Sequence, residues 1–145
     1  MSINQLFSGI NFERTISRYA KHYGWLISEI DDRHAVIKFQ MKSGRQQVLY
    51  IIRYDDTLEF SVPSLFQFDS EDEIPHHFST LLLQRNAQTK IGFWCIEDIN
   101  QKFIFSNMHN AELSFINRDY FGRVVSALVT ECDDFEGTLL QLLDE

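Results

Sequence analysis

Apolar residues first recur at helical spacing at Phe12, Ile16, Tyr19, Ala20 and Tyr23. The spacing predicts a helix over residues 11–23. Asn11 suits the N-cap, since its side-chain oxygen can accept a free backbone N–H, and Gly24 suits the stop. Leu6, Phe7 and Ile10 suggest a short helical turn within residues 2–10. The period then falls to two. Residues 25–30 form a short strand, and Ala35, Ile37, Phe39 and Met41 alternate with Val36, Lys38 and Gln40 in the next. After the Ser43-Gly44 turn, residues 47–54 place Val48, Tyr50, Ile52 and Tyr54 on one face and Leu49 and Ile51 on the other. Asp55-Asp56 turns the chain into a strand with Leu58, Phe60 and Val62 on one side, which Pro63 should end. Loops this short join antiparallel neighbours, so these strands form a meander.

Residues 64–73 read as a loop with Phe66, Phe68 and four acids. Pro75 opens a second helix, with Ile74, Phe78, Leu81 and Leu82 as its stripe and an end near residues 86–88. Two more strands follow, at 90–97 and 102–106, then a bridging segment with Leu113, Phe115 and Ile116. The last helix has the widest stripe: Phe121, Val124, Val125, Leu128, Cys132 and Phe135, with Asp119 as the expected N-cap and a break at Gly137. The reading is an α+β domain spanning residues 1–145, with a mostly antiparallel sheet of about five strands and three helices in the order α-βββ-α-ββ-α.

Composition narrows the function. A formal net charge of −8 argues against nucleic acid, because phosphate-backbone binding needs a basic face. No apolar run reaches the roughly 18–20 residues of a membrane helix, and the first residues lack the basic start of a signal peptide. Cys95 and Cys132 lie within apolar patterns and read as buried free thiols, so the chain is expected to be cytoplasmic.

Chemical motifs are scarce. There is no glycine-rich phosphate loop, G-x-S-x-G, H-E-x-x-H or C-x-x-C, so no catalytic residue is assigned and the chain is not expected to be an enzyme. The acidic run Asp69, Glu71, Asp72, Glu73 fails as a calcium loop, since Ile74 falls at the glycine position and Thr80 at the bidentate glutamate. Asp31-Asp32 and Asp55-Asp56 should share one end of the meander, about two strand spacings (~10 Å) apart. Ordinary turn chemistry accounts for aspartate there, and no metal or cofactor is assigned. His76 and His77 cannot share a metal from one helix face. A single histidine suffices for a haem iron, so a haem or other tetrapyrrole binder is the alternative reading.

Two strands are apolar on both sides. Leu49, Ile51, Trp94 and Ile96 oppose their strands' other apolar sets, and Leu83 points away from the Phe78–Leu82 stripe. One apolar face suffices for a core. These five residues are therefore the candidate interface for a protein or peptide client or for a second copy of the chain. The alternative is that residues 64–73, with Phe66 and Phe68, fold back over them.

The stretches Leu81-Leu-Leu-Gln-Arg-Asn-Ala87, Gly92-Phe-Trp-Cys-Ile96, Phe121-x-x-Val124-x-x-x-Leu128-Val129 and Asp134-Phe135-Glu136 carry a likeness. In these, and in element order, size and acidity, the chain resembles the type III secretion chaperone-like fold, including the YbjN-like proteins. The resemblance implies a non-catalytic binding module, commonly a homodimer, that holds extended segments of a client. It supplies no catalytic residue, and the sequence contains no clue to a secretion client.

Overall fold

The computed structural model describes residues 9–144. The turn expected over residues 2–10 lies outside them up to Ser8; Gly9 and Ile10 already belong to the first helix. The elements are α1 (Gly9–His22), β1 (Ile27–Ile30), β2 (His34–Gln40), β3 (Gln46–Tyr54), β4 (Thr57–Phe68), α2 (His76–Asn86), β5 (Phe93–Ile99), β6 (Lys102–Glu112) and α3 (Arg118–Leu143). The architecture is α+β in the expected order, with six strands rather than five: β1-β2-β3-β4-β6-β5, antiparallel throughout. The β5–β6 hairpin turns on Asn100 and Gln101, both at positive φ (51° and 67°), as a two-residue turn matched to strand twist requires.

Several boundaries move for identifiable reasons. Pro63 does not end β4. The step from Pro63 to Gln67 spans only Ser106 to Ile104 on β6, so the strand continues past the proline through a bulge. The expected Phe-rich loop is therefore partly strand. Phe66 is buried beside Phe78 and Phe105, and Phe68 packs against Phe105. The cap of α3 is Asn117, whose side chain accepts the Tyr120 N–H at 2.8 Å; Asp119 sits instead in the first turn, where its charge suits the helix dipole. Gly137 does not interrupt α3, whose buried Phe135 and Leu139 hold the helix on either side.

The helices cover one side of the sheet. Phe12, Ile16 and Ala20 of α1 and the stripe Phe121, Val124, Val125, Leu128 and Phe135 of α3 join Ala35, Ile37, Leu49, Ile51, Leu58, Phe60 and Phe105 in one core. Phe121 lies at its centre, near Tyr19, Trp25 and Phe60. Helix α2 packs over the edge strand β5. The Asn86 side chain accepts the Trp94 N–H at 2.6 Å and donates to its carbonyl at 3.1 Å, filling the place of a neighbouring strand's peptide.

A buried polar network ties α3 to the meander. Asp133 and Glu136 are both buried, and Gln47 donates to the two carboxylates at 3.1 and 2.5 Å. Ser43 donates to Asp133, the Leu65 N–H donates to Glu136, and the Arg45 guanidinium reaches the Asp133 carbonyl at 2.6 Å. Each acid is thus held by donors from loops or strands far away in sequence, as buried carboxylates require.

Candidate functional site

Strand parity decides what the second face of the sheet offers. Leu49, Ile51 and Trp94 project toward the helices and are buried. They belong to the core, so the expectation that they form an exposed interface is corrected: in the folded chain they have no surface to present. Leu83 on α2 and Ile96 on β5 are exposed, at 70% and 42%. Among the described residues, no helix packs on the opposite set. Val48, Tyr50, Ile52 and Tyr54 of β3 share a face with Glu59, Ser61 and Pro63 of β4, Met108 of β6 and Phe93, Cys95, Glu97 and Ile99 of β5, as the strand registers require. Tyr50 and Phe93 are 40% and 38% exposed.

The middle of that face is concave. Tyr50, Ile52, Pro63, Ile99 and Ile104 wall a groove of about 390 Å³, and Glu59, Ser61 and Glu97 supply its polar groups. The hydroxyl of Ser61 donates to Glu97 Oε1 at 3.2 Å. Burial, and then the nearby Glu97 charge, push the Glu59 carboxyl above its ordinary range. Burial and the same two carboxylates push the Cys95 thiol up to about 11, so it remains protonated and inert near neutral pH. Its sulfur lies 3.3 Å from that of Met108. Such a surface can bind by apolar contact and charge complementarity, and it presents no activated nucleophile.

Sequence reasoning overlooked this groove, although a signal existed. Tyr50 and Tyr54 carry hydroxyls, and Glu59 and Glu97 carry charges, all at the parity opposite Leu49, Ile51, Phe60 and Trp94. Polar tips identify the wet side of a strand that is apolar on both.

The other singled-out residues have structural partners. Asp31 Oδ1 accepts the N–H groups of Arg33 and His34, both at 2.8 Å, and these bonds hold its carboxyl below the usual range. His34 Nδ1 meets Asp31 Oδ2 at 2.7 Å. His76 and His77 are exposed at the start of α2. His109 Nδ1 accepts the Gly92 N–H at 3.1 Å, while its Nε2 lies 2.7 Å from the Tyr120 hydroxyl. Among the described residues, no group of three or more His, Cys, Asp or Glu side chains is arranged to hold a metal ion, and no helix is long and apolar enough to cross a membrane.

No protein-family model matches the chain, and no curated protein matches it. Among solved structures, a chain in "Structure of the HopA1-SchA Chaperone-Effector Complex" is similar over 93% of this chain and 97% of its own length, with a TM-score of 0.61 and 7% identity. At that identity the likeness is one of fold alone.

Proposed function

We propose that the chain is a non-catalytic binding module whose open sheet face takes an apolar segment of a protein partner. The observation that carries this reading is the groove lined by Tyr50, Ile52, Pro63 and Ile104, on a sheet whose core needs are already met on its other side. Contiguous exposed apolar surface marks interaction sites in folded proteins. The chaperone-like fold adds support, since the similar structure is that of a chaperone–effector complex. A peptide array graded in apolar content tests the reading. Wild-type protein should bind the apolar members. Ile52→Asn should abolish that binding, and Leu83→Glu, on a helix across the sheet, should leave it intact. Binding that survives Ile52→Asn, or no binding at all, would overturn it.

A further inference from the structure

We propose, resting on that reading of the open face, that Glu59 and Glu97 make the groove selective for an apolar segment carrying one cationic side chain, lysine or arginine. Both carboxylates line a cavity whose other walls are Tyr50, Ile52, Pro63 and Ile104. Among the described residues, no lysine or arginine forms an ion pair with either; Glu97 receives the Ser61 hydroxyl. Two like charges in partly desolvated surroundings repel each other and lose hydration, and a guanidinium or ammonium placed between them relieves both costs. The raised proton affinity of Glu59 reflects that same strain. Ser106, opposite Pro63 in the β4–β6 register, adds a buried hydroxyl without a hydrogen-bond partner on this side of the sheet.

Charge also decides among occupants. A second copy docked face to face would bring another Glu59–Glu97 pair onto the first, in a chain whose net charge is −8. An anionic ligand meets the same repulsion. A segment with apolar side chains around one cation satisfies walls and carboxylates together, because alternate residues of an extended chain face one surface.

Three fluorescently labelled synthetic peptides, alternating valine and serine and differing only in a central arginine, citrulline or glutamate, provide the test. Citrulline keeps the shape of arginine without its charge. Anisotropy titrations should show the arginine peptide binding at least about tenfold more tightly than the citrulline peptide, as a charge-assisted hydrogen bond supplies, with the glutamate peptide weakest. In the Glu59→Gln/Glu97→Gln double variant, confirmed as folded by circular dichroism, the arginine preference should fall to within about twofold while citrulline-peptide binding persists. Equal affinity for arginine and citrulline, or a preference that survives the double variant, would overturn the proposal. If both peptides bind equally and Ile52→Asn removes both, the docking face stands and cation selection fails. If no peptide binds, both fail.

Discussion

Arg85 of α2 forks onto Glu131 of α3, its Nε and Nη2 donating to the two carboxylate oxygens at 2.6 and 2.7 Å. The indole N–H of Trp94 donates to the same carboxylate at 2.8 Å, and the guanidinium stands 5.2 Å from the centre of the Phe135 ring. One acid therefore joins two helices to the edge strand. The hydrogen bond from Arg85 to Glu131 raises the arginine's affinity for its proton. Truncating Glu131 to alanine strands three partly buried donors, two on Arg85 and one on Trp94, and should cost about 1–3 kcal/mol in urea unfolding. Glu131→Gln should cost less, because its amide oxygen still accepts. A loss below about 0.5 kcal/mol for the alanine variant would mean that the fork is ornamental.

A helix-interior glycine usually gains about 1 kcal/mol on replacement by alanine. At Gly122 the sign should reverse. A Cβ there would lie 2.2 Å from the Tyr23 ring, which is stacked on Trp25 and donates its hydroxyl to the Arg118 carbonyl. Gly122→Ala must displace that ring and should destabilise by about 1–3 kcal/mol. Thermal unfolding checks the sign, and an unchanged or raised Tm would show that Tyr23 yields freely.

His109 gives the fold a pH dependence of known direction. The Gly92 N–H occupies Nδ1, so the neutral ring carries its proton on Nε2, facing the Tyr120 hydroxyl. Burial holds its pKa below the ordinary value of 6.5. The unfolded chain takes up the proton first as pH falls. The stabilisation is therefore complete above about pH 6.5 and is lost as pH drops through that value toward the lower folded-state pKa. His109→Gln should flatten the decline of the urea midpoint between neutral and mildly acidic pH. Parallel declines in variant and wild type would assign the effect to other groups.

Leu83 and Ile96 are the members of the expected interface that remain at the surface. If they pair two copies, sedimentation equilibrium at micromolar protein should give a mass of about 34 kDa, twice the 17.1 kDa of one chain. Leu83→Glu should return a folded monomer, since burying an unpaired carboxylate is costly. A monomeric wild type would reject that role for both residues.

The stripes of α1 and α3 and the alternation along β2 to β4 were readable because local period sets which residues share a face. The wet face was marked more faintly. Leu49 and Ile51 are as apolar as Val48 and Ile52, so apolar periodicity alone leaves two orientations nearly equal; only the polar tips of Tyr50, Tyr54, Glu59 and Glu97 separate them, and packing against distant residues such as Phe121 fixes the choice. The bulge after Pro63 likewise depends on β6, which is forty residues further along the chain, and the Asn86 bonds to Trp94 depend on where α2 lands.

The one-sided packing also shapes how this chain can change over generations. Along Gln46–Tyr54, Leu49 and Ile51 pack in the core beneath the helices, while Tyr50 and Ile52 line the groove. On the binding role proposed for the groove, adjacent codons in a single strand would lie under separate selection. Substitution at the even positions would then retune the proposed recognition one side chain at a time without touching the foldedness stored at the odd ones, so diverged copies of such a chain could keep the scaffold while exchanging partners.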